Sequence, residues 1–598
     1  MITGKRLAVL FSFVFCLFGC SSSPHAPIAV SVSPRTAYIG SGQTMQFTAA
    51  VTNDNSGVTW TVAGMDPPGA AGLAGGAGSV DASGNFTAPT VTQDSTVSII
   101  ATSVKDPTTS ASATVTIIAP GVVASTANVQ VAQYTVDVPD GLSVFVQFST
   151  DTSYGLTTWS LPAPSGGGAV PILVAGMRGN TPYHMRAVFQ PTGTTTTVFT
   201  DVDHVFTTGA YPAAAFPKIT AAAVTGQTPQ SGVELLSIGN GFITDLSGNV
   251  LWAYAPGTAI VPGVSSAVLN PIKLLPNGHF LLNFSTPALD GSNSLMQEVD
   301  LTGKVIWQMS AAQLNAALAS ATCSGCNITV TGTHHDFAIL PNGHLIVLGG
   351  TQQTISGTVV TGDVLIDLDQ NHNPVWLWNG FDHLDVNRHP MMWPDWTHSN
   401  SVVYSPDDKA LVVSSRHQGW VFKVNYGDGT GDGSLIWTLG YQGAFNLLPG
   451  PTNSMDPEDW FSAQHDANII STNTSGAIDI LMFDNGNQRI VNSSGAPCGA
   501  AVTPCESRVP IYHVDENAKT AEITWINKLA PVFSFFGGSA RLLPNGNIEF
   551  AECAPGANLA AIFEVTRTTP PTTVWSMQIA QNTYRGTRMG SLYPGVQW

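Results

Sequence analysis

Apolar and polar residues alternate along most of the chain in short runs, and glycine, asparagine, aspartate and proline separate these runs. Runs such as MQFTAAV, STVSIIATSV and ASATVTII have the period of two that is typical of β-strands with one buried face. The chain also holds 59 glycines and 39 prolines, while charged residues make up only 10 %. Pattern and composition together predict an all-β protein of many short strands and turns.

Two β regions precede the largest part of the chain. Residues 27–118 alternate regularly, and the order of GSGQTMQFTA and DASGNFTAP resembles that of bacterial Ig-like domains, which are small antiparallel sandwiches. Residues 119–210 contain the strands SVFVQFST, YHMRAVFQP and DHVFTTGA, and are similar to a fibronectin-type-III sandwich. A stretch rich in proline and alanine follows at 212–217. We therefore expect two β-sandwich domains and a third domain over residues 211–598.

Two kinds of hairpin repeat in the third region. One kind ends in a strand that carries tryptophan, as in FITDLSGNVLW and QEVDLTGKVIW, and it occurs six times. The other kind has an Asn-Gly or Asp-Asp turn, as in FAILPNGHLIVLGG. Two hairpins make a four-stranded sheet, so six pairs predict a six-bladed β-propeller. Only five hairpins of the second kind lie between those with tryptophan, and the C-terminal segment TRMGSLYPGVQW is predicted to supply the strand that the first sheet lacks.

Charge and the N-terminal segment indicate the cellular setting. A formal net charge of −18 without basic runs is a poor match to nucleic acid. Lys5 and Arg6 precede an apolar run that is too short for a membrane span and ends in LFGC. Residues 1–20 resemble a bacterial lipoprotein signal, which implies a lipidated Cys20 and a tether over 21–26; an ordinary signal peptide is the alternative. We expect a membrane-anchored lipoprotein of the cell envelope, facing the periplasm or the cell surface.

Five further cysteines lie in the body of the chain. In an oxidising compartment, Cys498 could pair with Cys505 in PCGAAVTPC, and Cys323 could pair with Cys326 in CSGC. A metal would need more ligands than one C-x-x-C offers. Cys553 is interpreted as a small buried apolar residue.

Three histidines stand at the front of consecutive hairpins of the second kind. They are His335 in HHDFAIL, His398 in HSNSVVY and His465 in QHDANII, and they are predicted to share one register. The first strand of each blade would line a central channel, so these side chains should converge there. Arg416 in SSRHQG ends the strand beside His398 and should reach the same spot. Asp336 and Asp466, which follow two of the histidines, either orient imidazoles or cap turns.

Several imidazoles and a guanidinium suit a particular chemistry. Three histidines could hold zinc with an open position, but an arginine beside the ligands would repel the metal. An oxyanionic group fits better, because arginine offers a planar fork to sulfate or phosphate oxygens. A neutral imidazole can attack the central atom while another transfers protons. We therefore expect neither a metal nor a cofactor at this site.

The segments DWTHSNSVVYSPDDKALVVSSRHQG, QHDANII, LMFDNGNQR and HHDFAILPNG resemble the bacterial arylsulfate sulfotransferase family, over most of residues 215–598. The resemblance implies a six-bladed propeller that moves a sulfuryl group from a phenolic sulfate ester to a phenol through a covalent sulfohistidine, without a nucleotide donor. It implies that His465 is the nucleophile, that His398 and Arg416 bind the sulfuryl oxygens, and that His335 transfers the proton. His334 remains an alternative to His335. The Ig-like domain and the lipoprotein signal depart from the simplest plan of the family.

Two other functions stay open at this stage. One is a non-catalytic cell-surface propeller that binds a carbohydrate or a sulfated ligand, because a fold alone does not decide function. The other is a metal-dependent hydrolase or lyase.

The sequence has no complete G-x-x-x-x-G-K-[ST] phosphate loop, since LTGKVIW holds only the GK pair.

Overall fold

A computed structural model describes residues 26–66, 76–254, 268–285, 293–448, 460–471, 475–489, 498, 505–529, 532–556 and 559–598. The predictions on the signal segment 1–20, on Cys20 and on residues 21–25 of the tether lie outside these residues. Strands make up 51 % of the structure and helices 4 %, so the prediction of an all-β protein is confirmed. Its helical segments are Ala311–Ser320, Gly380–His383 and the 3₁₀ turns Ala213–Ala215 and Gly427–Gly429. Within the described ranges, no helix has the length and apolar character needed to cross a membrane.

The chain forms two compact units, of which the N-terminal unit comprises residues 1–120 and 195–202. The strand Ser95–Ser103 alternates strictly between buried and half-buried residues, as the sequence pattern predicts. Its core includes Phe47, Phe86, Ile99 and Val115. The likeness of this unit to Ig-like domains stays a prediction. Its strands are Ala29–Ser33, Thr36–Gly40, Thr44–Gln46, Thr48–Thr52, Val58–Asp66, Ser79–Val80, Asn85–Thr87, Ser95–Ser103, Ser110–Ile118 and Phe199–Thr200.

The C-terminal unit comprises residues 121–194 and 203–598, and so includes most of the second predicted sandwich. The last residues of the chain pack against this β region: the Tyr593 hydroxyl donates to the carbonyl of Leu173, and the Trp598 indole donates to the carbonyl of Thr157. The predicted boundary at residue 211 therefore lies inside one compact unit. The strands of the β region are Val122–Ser125, Ala132–Val138, Leu142–Ser149, Leu156–Thr157, Leu161–Pro162, Gly168–Val174, Pro182–Pro191 and His204–Thr207.

Six antiparallel sheets follow one another in the rest of the C-terminal unit. The first holds Gly586–Met589, Val233–Leu236, Phe242–Thr244 and Val250–Ala253; the second holds Val268–Leu274, Phe280–Ser285, Leu295–Val299 and Val305–Ser310. The third holds Val330–Ile339, Leu345–Ile355, Thr358–Leu368 and Pro374–Asn379; the fourth holds Ser399–Ser405, Ala410–Ser415, Trp420–Val424 and Leu435–Gly440. The fifth holds His465–Ile469, Ala477–Phe483, Arg508–Asp515, Thr520–Lys528 and the short Asn446–Leu447; the sixth holds Ser539–Leu542, Ile548–Gly556, Leu559–Val565, Thr573–Ile579 and Ile219–Ala223.

Strands from both ends of the region complete these sheets. Gly586–Met589 pairs with Val233–Leu236 at the edge of the first sheet, which confirms the prediction for the C-terminal segment. Ile219–Ala223 pairs with Thr573–Ile579 in the sixth sheet. The first and last sheets are thus each built from both ends of the region, which covers edges that would otherwise be open to pairing.

The tryptophan of each sheet contacts the following sheet. Five of the six contacts are hydrogen bonds from an indole N–H, and in the second sheet the Trp307 ring stacks on His372 instead. The bonds run from Trp252 to Leu301 O, from Trp376 to Gly431 O, from Trp437 to Glu516 Oε1, from Trp525 to Thr568 O and from Trp575 to Leu246 O. The last of these bonds returns from the sixth sheet to the first.

The cysteines agree with the sequence interpretation. Cys323 is bonded to Cys326, and Cys498 is bonded to Cys505; both are pairings that the sequence left possible. Cys553 is buried outside these disulfides, and burial raises the pKa of its thiol well above the usual range. It therefore remains a thiol at neutral pH and acts as an apolar core residue.

Candidate active site

Each of the three strands that carry the predicted histidines has a β-bulge at its front. The backbone is left-handed at His335 (φ 54°), at His398 (φ 48°) and at Asp466 (φ 56°). Bulges redirect side chains, and left-handed backbone at residues other than glycine costs about 1–3 kcal/mol each, so these positions need support from their surroundings. The pairing shifts register between Thr333 and Phe337, between Ser399 and Ser401, and between His465 and Asn468.

His398 does not share the register of the other two histidines. The Val402 amide donates to Asp336, and in the next pair of strands the Ala467 amide donates to Ser401, so Asp336 and Ser401 hold equivalent positions. The residue equivalent to His335 is therefore Asn400, and His398 precedes its strand. The prediction of one common register is wrong for His398. The left-handed backbone and the bulge compensate for this offset in register, because they turn the His398 ring back towards His335.

The structure brings the predicted residues into one cluster. The ring centroids of His335 and His398 lie 4.8 Å apart. The Tyr584 ring lies 5.7 Å from the ring of His335 and 5.7 Å from that of His465, edge-to-face in both cases. The Arg416 amide donates to the carbonyl of His398, which places the arginine beside the same rings. His335, His465 and Arg416 are buried, and His398 is half-buried.

Hydrogen bonds fix the tautomer of His465. Asn485 donates through its Nδ2 to the carbonyls of Ser534 (2.7 Å) and Gly537 (3.0 Å), so its Oδ1 must face the other way as an acceptor. That oxygen lies 2.7 Å from His465 Nδ1, which therefore carries the ring proton. Nε2 keeps its lone pair, which accepts a 3.2 Å bond from the Gly537 amide. His465 therefore carries its lone pair on Nε2, the ring atom that would act as a nucleophile once the Gly537 amide releases it.

His465 is held neutral by its surroundings. Burial lowers the pKa of its imidazole well below the usual range, and the positive charges of Arg416 and Arg585 lower it further. Only the neutral form has a lone pair for attack, so these effects keep the nucleophile available at neutral pH.

His335 is also held neutral, and a chain of side chains orients it. Burial lowers its pKa well below the usual range, with a further contribution from His398. His334 Nε2 lies 3.3 Å from an Asp363 carboxylate oxygen, which makes it the donor to that oxygen. His334 Nδ1 can then accept from His335 Nδ1 at 2.9 Å, which leaves His335 Nε2 with a lone pair. The geometry places His335 in the cluster and His334 behind it.

Arg416 and His398 are held by partners of their own. His398 Nδ1 lies 2.6 Å from a carboxylate oxygen of Asp395, and His417 Nδ1 donates to the Asp395 carbonyl. The Nε2 of His417 is therefore an acceptor, and it receives a short hydrogen bond from Arg416 Nη1. Burial lowers the pKa of His417 to about 3, with a further contribution from His398, so its ring stays neutral.

Comparison with known proteins was made at the level of families, curated proteins and solved structures. The family described as Arylsulfotransferase (ASST) matches residues 225–585, which is more than half of the chain and contains every residue of the cluster. The chain belongs to the arylsulfotransferase family. It is an aryl sulfotransferase, and phenolic compounds are its substrates in general.

The other comparisons add nothing to this assignment. No curated protein matches the sulfotransferase. An ectodomain fragment of ICAM-5 is 10 % identical, and the match covers 57 % of this chain and 100 % of that one with a TM-score of 0.16. At this score the likeness carries no argument about fold or function.

Asp395, His398 and His417 also raise the question of a metal, since one ligand atom from each lies within 4.8 Å of the others. Two of these side chains already have polar partners: His398 Nδ1 bonds to the Asp395 carboxylate, and His417 Nε2 bonds to Arg416. A guanidinium directed at the cluster disfavours a second cation there. In the sulfotransferase this group therefore suits an anion better than a metal.

Sequence reasoning missed four residues of the cluster: Asn485, His417, Tyr584 and Arg585. The first two lie in LMFDNGNQR and SSRHQG, segments that carry the family resemblance, but nothing in the sequence singles them out. The other two lie in NTYRGTRMG, which reads only as the approach to a strand. Burial raises the pKa of Tyr584 well above the usual range, and its hydroxyl has no hydrogen-bond partner among the described residues.

A cavity of about 250 Å³ lies among the segments that carry the site, although none of its lining residues belongs to the cluster. Its walls come from the segments that carry the site, a few residues after Arg416, before His465 and after Asn485. Trp460 and Phe461 are buried in the core and also line this cavity. The lining comprises Arg388, Pro390, Gln418, Gly419, Tyr441, Trp460, Phe461, Ser462, Gln488 and Arg489.

Replacing Asn485 by leucine should lower kcat by about 10²-fold, because His465 loses the acceptor that keeps its proton on Nδ1. Asn487→Leu is the matched control: Asn487 donates to the carbonyl of Phe535 in the same loop that Asn485 holds, but does not bond to His465. Steady-state kinetics with 4-nitrophenyl sulfate and phenol measure both variants. Equal losses in the two variants would show that Asn485 matters only for holding the loop.

Proposed function

We propose that this sulfotransferase moves a sulfuryl group from a phenolic sulfate ester to a phenol through a sulfohistidine at His465, without a nucleotide donor. The observation that carries the proposal is a neutral imidazole at His465 that keeps its proton on Nδ1 and its lone pair on Nε2, in a cluster that includes Arg416. The arginine is the natural partner of the sulfuryl oxygens, because its planar fork matches them.

The first half-reaction forms a nitrogen–sulfur bond. His465 Nε2 attacks the sulfur of the donor, and the bond between sulfur and the phenolic oxygen breaks with its electrons going to that oxygen. Arg416 and His398 hold the sulfuryl oxygens. The Tyr584 hydroxyl, which has no hydrogen-bond partner in the part of the chain that the structure describes, is a further donor within the cluster. The phenol leaves as phenolate and takes a proton from water, because His335 is neutral at this stage.

The second half-reaction reverses these steps with the acceptor. The acceptor phenol gives its proton to His335 Nε2, and its oxygen attacks the sulfur as the nitrogen–sulfur bond breaks. His465 returns to its neutral form. The partly aromatic cavity among the segments that carry the site offers apolar surface for an aryl group.

We further propose that the six sheets form a six-bladed propeller around the cluster. The tryptophan contacts support this arrangement, because they link each sheet to the next and the sixth to the first. The histidines belong to the edge strands of the third and fifth sheets and to the approach to the fourth, where the innermost strands of a propeller would lie.

The setting of the reaction is proposed from the sequence. A lipoprotein anchored through Cys20 and facing the periplasm or the cell surface has little access to nucleotide sulfates, which favours an ester donor. The two disulfides suit an oxidising compartment.

Mass spectrometry tests the intermediate directly. After exposure to 4-nitrophenyl sulfate without an acceptor, the peptide that contains His465 should gain about 80 Da, as expected for SO₃ replacing a proton in covalent catalysis. Addition of phenol should remove the adduct. Saturable binding of the sulfate ester without turnover and without an adduct would favour the alternative, a non-catalytic binding protein. Loss of turnover on chelation would favour a metal-dependent enzyme.

A further inference from the structure

One buried guanidinium contacts all three histidine-bearing strands. The side chain of Arg585 is only 4 % exposed. Its Nη1 lies 3.3 Å from Asp336 Oδ1 and 3.5 Å from Asp466 Oδ1, and its Nη2 donates to the carbonyl of Asn400. Few side chains have three such partners from three separate sheets.

The partners of Arg585 lie at the bases of the reacting side chains. Asp336 directly follows His335, and Asp466 directly follows His465. Asn400 occupies the position in the fourth sheet that the two histidines occupy in their own strands. Each contact therefore falls on one of the three β-bulges, where left-handed backbone needs outside support.

The two aspartates also link neighbouring strands. Asp336 Oδ2 accepts from the amide of Val402, and Asp466 Oδ2 accepts from the amide of Ala540. Each aspartate has a second cation, because Lys273 lies 2.7 Å from Asp336 and Arg541 lies 2.7 Å from Asp466. Removal of Arg585 would thus leave both carboxylates paired, which limits the damage to the fold.

Three cations and two carboxylates meet in this network. Burial opposes the charge on Arg585, but Asp466 and Asp336 outweigh burial and raise its pKa, so the guanidinium stays charged. Its charge contributes to the lowered pKa values of His335 and His465. The titratable and charged groups around these two histidines are His334, His398, His417, Arg416, Tyr584, Cys553, Asp336, Asp363, Asp395, Asp466, Lys273, Arg541 and Arg585.

We infer that Arg585 is a positioning residue of the transfer reaction, which fixes the three strands so that His335, His398 and His465 meet around one sulfuryl group. The inference rests on the proposed function of His465. Arg585 acts through its contacts with Asp336 and Asp466 and through its charge. Its guanidinium binds groups of the protein and is not assigned to the substrate.

Arg588 provides a matched control from the same segment of chain. It is equally buried, with its side chain 2 % exposed, and it pairs with Glu234 and Glu564. These partners belong to the first and sixth sheets, which carry none of the three histidines. Arg588→Lys should therefore affect stability without changing the chemistry.

The experiment compares Arg585→Met, Arg585→Lys and Arg588→Lys in the full chain, by steady-state kinetics over a range of pH and by thermal unfolding. Arg585→Met should lower kcat by about 10²-fold with a smaller change in KM, because the imidazoles lose their alignment. It removes a positive charge, so the pKa values of His335 and His465 rise and protonation stops the reaction at a higher pH. The acid limb of the kcat profile should move up by about one unit. Arg585→Lys keeps the charge, and should restore the position of the limb and part of kcat.

Three outcomes would overturn the inference. The first is a wild-type kcat together with a wild-type pH profile in Arg585→Met. If Arg585→Met loses activity only in proportion to the loss of folded protein, and Arg588→Lys loses the same amount, Arg585 has only a structural role. If Arg585→Met does not fold, a wild-type kcat in Arg585→Lys decides against the inference. A wild type that neither transfers sulfuryl groups nor forms the adduct contradicts the proposed function itself, which separates the two failures.

Discussion

Replacing His465 by alanine is expected to abolish transfer from 4-nitrophenyl sulfate to phenol, with a fall in kcat on the order of 10⁴-fold or more. The variant lacks the Nε2 lone pair that forms the nitrogen–sulfur bond, and none of the neighbouring groups is placed to substitute for it. His335 Nε2 is the base of the proposed reaction, and His398 is tied to Asp395. The donor should still bind, because Arg416 and His398 remain.

Folding should survive this substitution. His465 makes two hydrogen bonds, to Asn485 and from the Gly537 amide, and leaving such partners unsatisfied costs about 1–3 kcal/mol each. Thermal unfolding followed by circular dichroism checks this. His513→Ala is the matched control, since His513 lies in the same sheet, is 46 % exposed and pairs with Asp479 away from the cluster. Transfer at the wild-type rate by His465→Ala, or an adduct on another histidine, would remove His465 from the nucleophile's role.

Much of the fold follows from the sequence because its signals are local. Alternation predicts the strands, and the recurrence of two hairpin types predicts successive four-stranded sheets. Even the C-terminal strand of the first sheet could be predicted, because TRMGSLYPGVQW resembles the other inner strands. Contacts between sheets leave no such trace: the bond from the Trp575 indole to Leu246 joins residues at opposite ends of the region.

The candidate site likewise contains residues that local sequence signals indicate and residues that only contacts between distant segments reveal. His335, His465 and Arg416 could be selected from the sequence because they occupy comparable places in repeated hairpins. The register of His398 could not be predicted, because a β-bulge shifts the strand pairing without leaving a recognisable pattern in the sequence. Asn485, Tyr584 and Arg585 gain their importance from contacts with distant strands, and each is a single polar residue without periodic context. From the sequence, Arg585 is simply a loop residue. Its importance follows from its contacts with Asp336 and Asp466 in the structure.

Replacing Arg416 by lysine should lower kcat/KM by about 10³-fold, the second-largest loss expected among single substitutions at this site. The side chain is held by His417, whose Nε2 accepts from Nη1, and Nη2 donates to the Phe535 carbonyl at 3.4 Å. An ammonium group keeps the charge but lacks the planar fork, so it cannot bind two sulfuryl oxygens while retaining these anchors. Arg416→Lys should therefore lose rate even though it carries the same charge.

His417→Gln distinguishes binding by Arg416 from a mere requirement for positive charge. Glutamine offers one acceptor and one donor, as the imidazole does, but its flexible side chain holds Arg416 less firmly than the ring does. The variant should therefore lose about tenfold in kcat/KM, in the same direction as Arg416→Lys. Measurement of adduct formation on His465 in a single turnover shows whether the loss falls on the first half-reaction, where the sulfuryl oxygens first need the guanidinium. If Arg416→Lys forms the adduct at the wild-type rate, Arg416 does not bind the transferred group, and the anion site must be sought among His398, Tyr584 and the backbone amides near Gly537.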